Sequence, residues 1–211
     1  MVRRQDRQRV AVGYGFAALI GIMLGTLVAS LNMTLVAPAM PTIVADLGGL
    51  DNYSWIALAS MLASTVVVPI VGKMSDSLGR KPFYMGGIAV FLLGSMLAGF
   101  ATSFEFLIFA RVVQGLGMGA MMPLSQAIIG DIIPPRERGK YQGLLGAVFG
   151  VASIIGPLVG GYVTEHLGWR WLFFVNVPVG LVTLAVIGTS MHVPQQKRPH
   201  IIDVPGIVTL T

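Results

Sequence analysis

Cysteine is absent from the 211 residues, and charged residues make up only 11% of them. Without cysteine there is no disulfide, thiol nucleophile or cysteine-based metal site, and the redox compartment cannot be read. The charged share is less than half of the usual ~25% of a soluble domain. Carboxylates are missing from the middle of every apolar run. Asp46, Asp51, Glu105 and Glu165 fall at one set of ends, and Asp76, Asp131 and Glu137 at the other. His166 and His192 lie at run ends and His200 in a loop, which gives no metal-ligand spacing. No phosphate-cradling loop, nucleophile with a base, or carboxylate pair is present either, so an enzyme is not expected.

What the chain has is apolar surface. Hydrophobic residues make up 55% of it, more than a soluble fold of this length can hide, so the solvent must be lipid. The net charge of +5 does not point to nucleic acid, because the basic residues sit in short clusters between apolar segments. The first apolar run, from Val10 to about Pro38, is too long for a secretory signal and reads as a retained membrane helix.

A bilayer core takes roughly 20 apolar residues per helix. That ruler predicts six spans, at about 11–38, 54–75, 83–101, 105–129, 141–164 and 171–191. The breaks fall at Gly48-Gly49 with Asp51-Asn52, at Pro82, at Thr102-Ser103, at Pro134-Pro135 and at Gly168. The expected organisation is a basic tail over 1–10, a six-helix domain over 11–191, a linker over 192–204 and the start of a seventh helix over 205–211. Arg3, Arg4, Arg7, Arg9, Lys73, Arg80, Lys81, Arg136, Arg138, Lys140, Lys197 and Arg198 all fall on one side of such a bundle. The positive-inside rule makes that side, and the N-terminus, cytoplasmic. The expected fold class is an all-α membrane protein, a six-helix bundle in a three-plus-three arrangement. The two halves share no repeat that residue identity reveals beyond loop character.

Four stretches stand out. Gly72-Lys-Met-Ser-Asp76-Ser-Leu-Gly79-Arg80-Lys81 is a charged, glycine-punctuated hairpin between two apolar runs. Span 5 carries Gly143, Ala152, Gly156-Pro157 and Gly160-Gly161, small residues that let another backbone approach, with a proline that bends the helix. Such a face serves either generic packing or a moving contact. Span 4 carries Arg111, Gln114, Gly115, Gly117 and Gly119. A guanidinium at that depth either faces protein or a wet cavity, or snorkels to the nearer surface. Span 1 ends in Leu31-Asn32-Met33-Thr34, then Ala37-Pro38 and Pro41. Asn32 can hydrogen-bond but cannot titrate near neutral pH. Met33 and Met118 are the candidate liners of an adaptable apolar cavity, and Trp55, Trp169 and Trp171 the candidate interfacial anchors.

The hairpin at Gly72, Asp76, Gly79, Arg80 and Lys81 resembles the loop signature of the major facilitator superfamily, with Ser77 where a basic residue is usual. The span-5 run is similar to the motif of its drug antiporters, with Ala152 replacing a glycine. The span-4 run resembles the motif whose arginine is linked to proton coupling. The span-1 run resembles that of the fourteen-helix drug–proton antiporters, with Asn32 in place of an aspartate and Ala37 in place of a common asparagine. Ile202-Asp203-Val-Pro-Gly206 resembles the entry into their extra central helix pair.

The resemblance implies the N-terminal half of a secondary transporter that works by alternating access. No cofactor is implied, only a proton gradient as energy source. The implied partners are a small lipophilic or cationic substrate, the lipid bilayer and a C-terminal helix bundle, and the implied location is a bacterial cytoplasmic membrane. Spans 1 and 4 would line the cavity, span 5 would slide, and the Asp76 loop would lock the cytoplasmic side. An uncoupled facilitator, a transporter of another solute, and a non-transporting six-helix membrane partner are the alternatives.

Overall fold

A computed structural model of the chain describes residues 2–190. The linker, the seventh run and the motif at Ile202–Gly206, with Lys197, Arg198, His192 and His200, lie outside the described residues. The described residues form eight α-helices: α1 (Val2–Leu35), α2 (Met40–Leu47), α3 (Trp55–Leu78), α4 (Arg80–Gly99), α5 (Phe104–Ile132), α6 (Arg138–His166), α7 (Trp171–Phe174) and α8 (Asn176–Ser190). They make six spans long and apolar enough to cross a membrane, the first being Ala17–Leu47 and the last Trp171–Thr189. The chain is an integral, multi-pass membrane protein.

Two boundaries differ from the sequence expectation, and proline is the reason for both. Span 1 does not end at Pro38. After Leu35 the backbone tightens into a 3-10 turn at Ala37–Ala39 and resumes as α2, with Pro38 and Pro41 in the first turns of these pieces. Pro82 is likewise no break, since it sits in the first turn of α4, where a missing N–H costs nothing. The break lies at Gly79, whose φ of 99° favours a residue without a side chain. At the other end α1 reaches back to Val2, so the basic tail continues the helix.

α5 is the central helix, packed along α3 and α4 and touching α1, while α1 packs along α6 and α8, and α4 meets α8. Exchanging spans 1, 2 and 3 with spans 4, 5 and 6 maps this pattern onto itself, as an inverted three-plus-three repeat requires. The symmetry reveals a repeat missed by residue identity. Gly72, Ser75, Asp76, Leu78, Gly79 and Lys81 reappear in the same order, without a gap, as Gly161, Thr164, Glu165, Leu167, Gly168 and Arg170. Gly168 matches Gly79 in conformation, with φ 92°.

The close helix pairs rest on glycine. A Cβ on Gly115 or Gly119 would run into the backbone of Ser60 or Ser64, which brings α3 against α5. Gly94 lies against the backbone of Gln114, and Gly117 against Phe91 and Gly87, which brings in α4. Gly156 lies against Thr34 and Gly160 against Leu35 and Pro38, seating α6 on α1.

Candidate functional site

These approaches press five spans around one buried polar cluster. Asn32 comes from α1, Ser95 from α4, Arg111, Gln114 and Met118 from α5, and Asn176 from α8; all are buried. α3 supplies a backbone carbonyl. Arg111 donates from Nε to the Ile56 carbonyl at 2.9 Å, and from Nη1 to Gln114 Oε1 at 2.6 Å and Asn32 Oδ1 at 3.5 Å. Gln114 Nε2 donates to Ser95 Oγ at 2.7 Å and to Asn32 Oδ1 at 3.0 Å. Asn176 Nδ2 reaches the same Oδ1 at 3.4 Å. Asn32 Nδ2 in turn points at Met118 Sδ, 3.6 Å away.

Arg111 therefore faces protein and does not snorkel: its side chain turns into the bundle, where only 4% of the residue is exposed. Its partners are all neutral. Among the described residues every ion pair lies near a helix end, joining Arg80 to Asp76 and Asp131, and Arg170 to Asp46. A cation held by dipoles alone within a lipid-solvated bundle is expensive. Asn32 Oδ1 is the hub, accepting from three side chains on two other helices.

The remaining candidates distribute as follows. Thr34 lies one helical turn from Leu31 on α1, and its hydroxyl is 3.1 Å from the Ala152 carbonyl of α6. Of the α6 motif, Gly156 and Gly160 face α1, whereas Gly143 and Gly161 have open space where a Cβ would go. Pro157 is exposed, on the side of α6 away from the bundle. Met33 and Met118 do not share a wall: Met33 is 39% exposed and Met118 is packed inside. Trp55 and Trp171 are exposed, but Trp169 is buried, because its indole N–H is held by Asp46 at 3.0 Å.

The hairpin forms a charge cluster at the basic end of the bundle. Arg80 binds Asp76 of its own loop at 2.9 Å and also Asp131 at the end of α5. Lys81 Nζ donates to the Gly188 carbonyl near the end of α8 at 2.8 Å. Arg138 closes the same end, donating to the Gly130 and Ile133 carbonyls as α5 finishes. Gly72 has free space around it.

Ser95 and Asn176 escaped the sequence reading, and Asp131 entered it only as a carboxylate at a span end, without its partner. Asn176, an amide in an apolar run, carried the same signal as Asn32. Asp131 carried one only as the nearest carboxylate at the end that bears Arg80. Ser95 carried none.

A family model for the Major Facilitator Superfamily matches residues 8–208. The chain belongs to that superfamily. Among its relatives, a multidrug transporter protein, MdtP of Bacillus subtilis, is 41% identical over 192 residues, covering 91% of this chain and 36% of its own length. Multidrug resistance protein 3 of the same organism is 42% identical, over 91% of this chain and 38% of its own. The chain thus spans little more than a third of the length of these relatives. Among solved folds, a D-xylose–proton symporter superposes with a TM-score of 0.74 at 15% identity, over 86% of this chain and 49% of that one. That likeness concerns the superfamily fold alone.

Proposed function

We propose that this chain is the N-terminal half of a secondary active transporter that expels lipophilic or cationic small molecules by proton antiport. The observation that carries the reading is the Arg111–Gln114–Asn32 cluster. Five spans converge on a cation that no carboxylate of the described bundle neutralises, so its affinity for anionic or titrating groups is open to change during a cycle. The multidrug names of two relatives support the substrate class. Their greater length supports a second helix bundle against which this one rocks. No cofactor takes part, since the proton gradient supplies the energy. The basic end is cytoplasmic, with the N-terminus inside a bacterial cytoplasmic membrane.

Spans 1 and 4 carry the cluster and face the substrate path. α6 provides the moving face at Gly143 and Gly161, and the Asp76 loop fastens the cytoplasmic side by meeting the second bundle. Asp76 suits that role because its side chain is 63% exposed beyond Arg80. The test is dye efflux from vesicles holding the full-length chain. Efflux that rises with an imposed pH gradient and collapses with a protonophore is the expected result, and efflux indifferent to the gradient would sink proton coupling.

One observation favours a second reading, an uncoupled facilitator. Asn32 places an amide at the hub of the cluster, where a proton carrier needs a carboxylate. The same gradient experiment separates the two.

A further inference from the structure

The two copies of the glycine–carboxylate–glycine turn do matching things at opposite ends of the bundle. At the basic end, the residue after Gly79 is Arg80, which binds Asp131 where α5 ends, and the next, Lys81, donates to the Gly188 carbonyl near the end of α8. At the other end, the residue after Gly168 is Trp169, which donates to Asp46 where α2 ends, and the next, Arg170, donates to the Ala101 carbonyl just past α4. Arg170 also pairs with Asp46 at 2.8 Å. The Arg80–Asp131 and Lys81–Gly188 contacts become the Trp169–Asp46 and Arg170–Ala101 contacts when the first three spans are exchanged with the last three, whereas the Arg170–Asp46 and Arg80–Asp76 pairs each belong to one end alone. Ser75 and Thr164, at matching positions, both turn their hydroxyls back onto their own helix, to the Gly72 and Gly160 carbonyls.

One member of the second copy has no work inside the bundle. Glu165 stands where Asp76 stands in the first copy, at the end of α6. It is exposed and forms no ion pair among the described residues. α3 and α6, which carry the two carboxylates, are also the two least buried spans. Both acids therefore sit at the tips of helices whose outer faces this bundle leaves uncovered.

We propose that Glu165 is the opposite-side partner of Asp76: a carboxylate that fastens the outer side of the transporter by meeting a cationic group or helix N-terminus of the second bundle, with Trp169, Arg170 and Asp46 bracing its turn. The proposal rests on the alternating-access reading above. Two fasteners on opposite sides, each closed in one state only, balance the two states against each other. Removing one shifts the population toward the state in which its own side is open.

The test uses the full-length transporter in membranes, with single cysteines at Met61→Cys on α3 or Leu158→Cys on α6. The 211 residues contain no cysteine of their own. Labelling by a membrane-impermeant maleimide from the outer side is timed in the parent, in Glu165→Gln and in Asp76→Asn. Glu165→Gln is expected to speed labelling roughly two- to fivefold, the size of one charge–dipole contact, and Asp76→Asn to slow it. Unchanged or slower labelling in Glu165→Gln, with Asp76→Asn slowing it, overturns the outer fastener and leaves the inner one standing. No effect of Asp76→Asn removes the inner gate itself, whatever Glu165 does. If neither reporter reacts in the parent, flux decides. Opposed fasteners predict that the double variant transports faster than either single one, and a merely additive loss overturns the proposal.

Discussion

Lys81 and Arg170 make the same contact at opposite ends of the bundle. Lys81 opens the third span and donates to a carbonyl near the end of the sixth; Arg170 opens the sixth span and donates to the carbonyl that follows the third. Spans 3 and 6 are thereby tied head to tail at both ends, so the bundle is braced as one body. Rigid rocking of a whole bundle needs such bracing, and independent sliding of single helices does not.

The glycines divide into two classes with opposite expected behaviour. Gly115→Ala and Gly119→Ala drive a methyl group into the backbone of α3 at Ser60 and Ser64. Each is expected to lower the unfolding free energy by ~1–3 kcal/mol. Gly143→Ala and Gly161→Ala meet no atom within 4 Å, and should leave the bundle as stable as before. Thermal unfolding of the purified protein checks both classes. Normal melting of Gly143→Ala with loss of flux would place its contact in the second bundle.

Arg111→Lys keeps the charge and loses the fork. An ammonium cannot reach the Ile56 carbonyl and the Gln114 and Asn32 oxygens in the geometry that a planar guanidinium provides. Flux should fall roughly tenfold, the equivalent of ~1.4 kcal/mol, with insertion intact. Full activity in Arg111→Lys would show that charge alone suffices there.

Asn32→Leu removes the acceptor that Arg111, Gln114 and Asn176 share, leaving each only its other partners, and should cost ~1–3 kcal/mol. Asn32→Asp retains the acceptor and sets a carboxylate beside Arg111. It should therefore melt closer to the parent than Asn32→Leu does. The reverse order of melting temperatures would contradict the hub role of Oδ1.

Reversing the charges at Asp46 and Arg170 tests the brace at the end opposite the basic one. Asp46→Arg and Arg170→Asp should each lower the melting temperature, and the double reversal should recover part of the loss. The interaction energy from the double-mutant cycle is the quantity to read. Strict additivity would mean that the pair is a passive contact.

Six spans were legible because lipid demands long apolar helices and tolerates little else. Their ends were less legible where proline intervened: Pro38 and Pro82 read as stops but occupy first turns, where a missing N–H is harmless. Arg111, Gln114 and Asn32 were legible because polar groups in an apolar run need a reason. Ser95 was not, because a helical hydroxyl normally bonds its own backbone and so gives no sign of a partner on another helix. The repeat escaped notice because its second copy carries Trp169 in place of Arg80, and Arg170 in place of Lys81, and so lacks the visible charge of the first. The exchange symmetry of the helix packing, and then the matching contacts of the two turns, made the correspondence evident.

The wide sequence separation of the clasp at Asp46 also sets an order of assembly. Asp46 waits for Trp169 and Arg170, partners 123 and 124 residues later, whereas Arg80 meets Asp131 after only 51. Synthesis proceeds from the N-terminus at roughly 5–20 residues per second. When span 4 leaves the ribosome, Arg111 finds Asn32 and Ile56 already made, and Gln114, on the same span, finds Ser95, so the nascent cation need not sit unsolvated in lipid. Asn176 joins that cluster last. A nascent chain whose fourth span has left the ribosome would hold the Arg80–Asp131 pair and the buried arginine but still lack every contact with the sixth span, which makes the docking of that span, through Trp169, Arg170, Asn176 and Gly188, the closing step of the bundle's biogenesis.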